Sequence, residues 1–211
     1  TATSTPAPTI PAATATSAPI ATMTSTGAAA HTSSGTPATS AAPVAPAATA
    51  PAVASTVGRV TAVGDSVMLG AAPELRHDLG AVDVDAAVSR QVMAGINVLA
   101  GRRAAGQLGP TVVIHLGTNG TFTGGEFDQM MQILKGERRV VFVNIRVDRS
   151  WEPGNNAVIA AGVQRYGNTR LVDWHDAASA HAGIFANDGF HLRPDGAALY
   201  ASLIASAVGS P

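Results

Sequence analysis

Three short segments of this sequence hold the residue types that acyl transfer needs. Gly64-Asp65-Ser66 places a serine directly after the apolar run Arg59 to Gly64. A serine between a buried strand and a helix is well placed to attack a carbonyl, because its own N–H lies at the positive end of the helix. The alternative is that Ser66 and Asp65 simply cap the helix. Gly117-Thr118-Asn119-Gly120 follows a second apolar run. An amide there could aim at the same point as the Ser66 N–H, or the pair could be an ordinary Asn-Gly turn. Asp188 stands three residues before His191. A carboxylate on one ring nitrogen fixes the tautomer and leaves the other nitrogen free as a base. Each segment alone has a bland reading. Together, in the order Ser, Asn, Asp, His, they supply nucleophile, oxyanion donor, base and base-orienter.

Such residues work only if the fold brings them to one place. Arg59–Gly64, Ala81–Val88, Thr111–Leu116, Arg139–Ile145 and Arg170–Trp174 read as strands. Ser66–Leu79, Gln91–Leu108, Glu126–Lys135, Asn155–Tyr166 and Pro194–Val208 have helical spacing. Strands alternating with helices predict a three-layer α/β/α, flavodoxin-like domain with a five-stranded parallel sheet. The expected strand order is 2-1-3-4-5. Ligands bind such sheets beyond the carboxyl ends of the strands. The three segments all fall in loops on that edge.

Composition divides the chain. Of the first 55 residues, 47 are Ala, Thr, Pro or Ser, and no charged or aromatic residue precedes Arg59. Such a segment cannot offset the entropy of ordering its backbone, so 1–58 is expected to be a disordered linker or stalk, with 59–211 as one domain. The 211 residues include no cysteine and carry a net charge of −1 with no basic cluster. That excludes a disulfide scaffold and argues against nucleic acid as the partner. No run is long and apolar enough to span a membrane. The sequence begins at Thr1, inside the linker and without an initiator methionine, so a processed or truncated product is expected.

The segments TAVGDSVMLG (61–70), VVIHLGTNG (112–120) and NDGFHLRPDGAALYA (187–201) resemble blocks one, three and five of the SGNH, or GDSL, hydrolase superfamily. The resemblance covers essentially all of 59–208. It implies Ser66 as nucleophile, His191 as general base, Asp188 as its partner and Asn119 as an oxyanion donor, with Gly117 keeping the loop tight. In the second block, Ser89 stands where the superfamily has a glycine. Its N–H would be a further oxyanion donor, although a positive φ suits serine less well. GDSVMLGA, the SRQ at 89–91, NIRVDRSWEPGNN (144–156) and DWHDAASAH (173–181) are similar to a narrower group. These are extracytoplasmic SGNH domains fused behind membrane acyltransferase domains, as in peptidoglycan and other envelope-glycan O-acetyltransferases. That similarity implies serine-dependent O-acyl transfer, acetyl foremost, to a cell-envelope glycan. It implies no cofactor, an extracytoplasmic site, and a membrane acyltransferase domain as partner, absent from this chain. Two alternatives stay open: a secreted carbohydrate esterase, and a non-catalytic glycan-binding module.

Other residues have weaker signals. Trp151 could stack on a sugar or cover the core, with Arg149 and Asn156 nearby as substrate-binding candidates. His115, inside a strand, reads as a core residue. Asp173 is a rival triad acid, but the spacing of Asp188 to His191 is more suitable. His175, His181 and Asp176 match no metal-ligand pattern, so no metal is expected.

Overall fold

A computed structural model describes residues 58–209. The expected stalk, apart from Gly58, lies outside the described residues. The elements in chain order are β1 (Val60–Gly64), α1 (Ser66–Gly70), α2 (Ala72–Leu79), β2 (Val82–Ala86), α3 (Val92–Ala104) and β3 (Thr111–His115). They continue with α4 (Gly124–Ile133), β4 (Arg139–Val143), α5 (Glu152–Val163), β5 (Thr169–Val172), α6 (Trp174–Ser179) and α7 (Pro194–Gly209). The five strands are parallel and ordered β2-β1-β3-β4-β5, as the strand and helix alternation predicts.

Side-chain alternation along the strands feeds two cores. Ala62, Val113, Val141 and Val172 face one way, against α1, α2, α6 and α7. Val63, Val112, Ile114 and Phe142 face the other, against α3, α4 and α5. The central strands β1 and β3 are buried at every position, which accounts for their continuous apolar reading. Gly64 pairs in register with both Ala86 and His115, so three strands end level and their loops open side by side.

The differences from the sequence reading have local causes. The helix expected over 66–79 is broken at Ala71, and Pro73 lies in the first turn of α2. Proline has no N–H for the helical ladder and fits a first turn, so the chain restarts there. Likewise α5 begins at Glu152 because Pro153 also sits in a first turn. β5 ends at Val172, and the DWH segment becomes α6: Asp173 caps it by accepting from the Asp176 N–H. Trp174, read as the end of a strand, is the first residue of α6 and fully buried.

Candidate active site

The carboxyl end of β1 delivers Ser66. Asp65 is the N-cap of α1, and its Oδ1 accepts from the Val67 N–H at 3.1 Å. Ser66 is therefore the first helical residue, where a backbone N–H has no partner within the helix. It is 8% exposed.

The candidate base comes from the other end of the chain. Residues 184–193 fold back on themselves through Arg193 N–H to Ile184 O and Ala186 N–H to His191 O, both 2.8 Å. Gly189 makes the turn at φ +81°, a conformation that favours glycine. Arg146 braces the loop from β4's end. Its guanidinium donates to Gly189 O and lies 4.7 Å from the Phe185 ring centre. Within this loop Asp188 Oδ1 accepts from the N–H groups of Phe190 and His191, at 3.2 and 3.0 Å. Asp188 Oδ2 lies 2.7 Å from His191 Nδ1, and His191 Nε2 lies 2.9 Å from Ser66 Oγ. The His191 side-chain bond, aided by the two N–H groups, holds the Asp188 carboxyl down at about 2. An ionised carboxylate only accepts, so His191 Nδ1–H donates to it and Nε2 is left to accept from the Ser66 hydroxyl.

The loops after β2 and β3 meet each other beside the end of β1. Ser89 has φ +57°, the one positive value at a non-glycine among the described residues. Ser thus adopts the backbone for which a glycine was expected. Arg90 holds that turn: its guanidinium donates to Gly64 O at 3.1 Å and to Asp85 Oδ1 at 2.7 Å. Arg102 also pairs with Asp85, and the two guanidiniums keep its carboxyl below the usual range against the opposing effect of burial. Asn119 Nδ2 is 3.4 Å from Arg90 O, and Gln91 Nε2 donates to Asn119 O at 2.8 Å. The 89–91 and 117–120 turns are thus cross-linked.

Asn155 is the support that sequence reasoning missed. It is 2% exposed, and its amide donates to Gly117 O and Gly120 O at 3.0 and 2.8 Å. Its Oδ1 accepts from the Phe122 N–H at 2.7 Å. One side chain satisfies three backbone groups of the Asn119 loop. A Cβ on Gly117, at φ +114°, would stand 3.1 Å from the Asn155 amide nitrogen. The signal available was the Asn155-Asn156 pair, of which only the second residue was singled out.

The remaining candidates divide. Asn156 uses both ends of its amide on the backbone of Ile145. Arg149 is exposed and donates to Asp148 O. Trp151 is half-buried ahead of α5, with a buried Nε1 that has no hydrogen-bond partner. Arg146, Asp148, Glu152, His175, Asn187 and Asp188 line a cavity of about 430 Å³. Ligand-type atoms of Asp173, His175 and Asp176 lie within 4.8 Å of one another. Those groups already serve one another. Asp173 Oδ1 accepts from Asn144 and from the Asp176 N–H, and His175 lies between Asp176 and Glu152. His181 contacts Ala177 O instead.

No protein-family model matches the chain. Similar solved structures include the C-terminal catalytic domain of the Streptococcus pneumoniae peptidoglycan O-acetyltransferase OatA. It is 24% identical with a TM-score of 0.62, over 71% of this chain and 92% of that one. The fold is that of the SGNH hydrolases. Among curated proteins, homologues include YrhL of Bacillus subtilis, a candidate peptidoglycan O-acetyltransferase. The two are 36% identical over 157 residues, 74% of this chain and 25% of YrhL. The peptidoglycan O-acetyltransferase OatA of Listeria monocytogenes is 32% identical over 150 residues, 71% of this chain and 24% of OatA. The chain is thus a homologue of one segment of these O-acetyltransferases, spanning about a quarter of their length.

Proposed function

We propose that this domain transfers an acetyl group to a hydroxyl of a cell-envelope glycan, peptidoglycan foremost, through an acetylated Ser66. The observation that carries the reading is the unbroken chain from Ser66 Oγ through His191 to Asp188, at 2.9 and 2.7 Å. The names of the homologous O-acetyltransferases support the choice of acyl group and acceptor.

Ser66 Oγ attacks the carbonyl carbon of a donor acetyl ester while His191 Nε2 takes its proton. The tetrahedral oxyanion is held by the N–H of Ser66, the amide of Asn119 and the N–H of Ser89. Collapse breaks the bond to the donor oxygen, which leaves with the proton returned by His191. A glycan hydroxyl then attacks the acetyl-Ser66 ester. His191 accepts that hydroxyl's proton and passes it to Ser66 Oγ as the ester breaks. Asp188 stays ionised throughout and stabilises the imidazolium. The 430 Å³ cavity beside Asp188 has the size of a small-molecule site and a polar lining suited to a sugar flanking the acceptor. In this reading Arg149 and Trp151, which stand in the chain between the cavity residues Asp148 and Glu152, would contact that sugar. The segment 1–58 acts as an extracytoplasmic stalk behind a membrane domain that supplies the acetyl group.

The test follows leaving-group release from a small activated acetyl ester, with and without muropeptide or chitooligosaccharide, with Ser66→Ala as control. Acetylated acceptor formed in competition with free acetate supports transfer. Ser66-dependent acetate alone replaces the reading with an esterase. Glycan binding without any Ser66-dependent turnover replaces it with a binding module.

A further inference from the structure

Beneath Ser66 lies a second set of polar groups with no part in the steps above. Asp65 and Tyr200 are fully buried and His115 is 1% exposed, all within apolar packing. A carboxylate, an imidazole and a phenol buried together are costly unless they satisfy one another. They are close. The Tyr200 hydroxyl is 2.6 Å from His115 Nδ1, and the two rings stack at 5.4 Å. The Asp65 N–H donates to His115 O at 3.2 Å. Asp65's charge acts on both His115 and Tyr200. Burial pushes the His115 imidazolium down and the Tyr200 phenol well up, so both side chains are neutral. In the tautomer whose Nδ1 accepts from the Tyr200 hydroxyl, the neutral imidazole carries its proton on Nε2. That Nε2 and Asp65 Oδ2 are each buried without a hydrogen-bond partner.

We infer that Tyr200, His115 and Asp65 form a positioning relay for the nucleophile. Tyr200 O–H orients the imidazole, His115 Nε2–H faces the Asp65 carboxylate, and Asp65 holds the first turn of α1. The placement gives the relay its purpose. Tyr200 belongs to α7, which follows the His191 loop directly, whereas Asp65 precedes Ser66. Ser66 and His191 are 125 residues apart in sequence. The relay joins the elements that carry them through β3, below the surface at which they meet. It moves no proton in the reaction.

The inference rests on Ser66 being the nucleophile, and a test on acylation alone keeps the two apart. The purified chain and its Tyr200→Phe, His115→Ala and His115→Gln variants would be labelled with a serine-directed phosphonate. They would also be assayed on a small activated acetyl ester well below the lowest melting temperature of the set. Tyr200→Phe is expected to lower kcat and labelling rate together by about 10-fold with little change in KM, since a small misplacement of a reacting atom is enough. His115→Ala should do at least as much. His115→Gln should recover most of the loss, because an amide can accept from Tyr200 and donate towards Asp65. Unchanged kcat and labelling in Tyr200→Phe would overturn the relay. So would a change confined to KM, or His115→Gln being no better than His115→Ala. No labelling of the unaltered chain would overturn the nucleophile and the relay together.

Discussion

The two halves of the candidate triad are held in opposite ways. Ser66 sits on a buried floor, 8% exposed, with Asp65, His115 and Asn155 packed around the strand ends that carry it. Asp188 and His191 sit on a wall, with side chains 43% and 41% exposed. The floor depends on contacts between residues far apart in sequence, such as Asn155 with Gly117 and His115 with Tyr200. The wall depends mostly on hydrogen bonds within ten residues, closed at one point by Arg146. Activity should therefore be sensitive to both regions, and stability mainly to the floor.

The sharpest way to break that contrast is at the wall. His191→Ala removes the base and should cost about 10⁴-fold or more in kcat/KM on an activated ester. The side chain is half-exposed, so the melting temperature should stay within about 2 °C of the parent. A large fall in melting temperature would mean that the loop is integral to the core.

The floor should respond differently. Asn155→Ala leaves three backbone groups of the Asn119 loop without their partner and should destabilise by about 1–3 kcal/mol. It should also lower kcat by about 10-fold, because the loop that aims Asn119 is released. Asn119→Ala, at the tip of the same loop, should lower kcat by about 100- to 1,000-fold with little change in stability. If Asn155→Ala melted normally, the floor would not be built as described. If Asn119→Ala kept full activity, the oxyanion would be held elsewhere.

The same contrast explains what was legible in the sequence. Wall residues are near one another in the chain, so the spacing of Asp188 to His191 could be read directly. The parallel sheet was legible because its strands are buried on both faces and its helices repeat with one period. What stayed hidden depended on tertiary partners. Nothing in the spacing distinguishes Asn155, which ties three backbone groups, from Asn156, which ties the Ile145 backbone. His115 could be placed in the core, but its Tyr200 contact spans 85 residues. Proline hides two helix starts: the spacing over 66–79 runs through Pro73 without a break, and Pro153 reads as loop, although each lies in a first turn.

The smallest effect concerns pH and sharpens the description of the wall. Asp188 is held at about 2 in the folded chain, below the ordinary carboxylate value of about 3.9 in an unfolded one. A depressed pKa stabilises the fold above the unfolded value, and that contribution is lost as pH falls through the folded one. The advantage of the parent over Asp188→Asn should be complete at pH 6 and about half gone by pH 3. Because the carboxylate is well exposed, solvent screens it, and the difference at pH 6 should be about 2 °C or less. Melting curves of the two proteins at several pH values between 6 and 3 would show it. A difference that stayed constant as the pH fell would mean that the negative charge of Asp188 adds nothing to the wall's hold on His191.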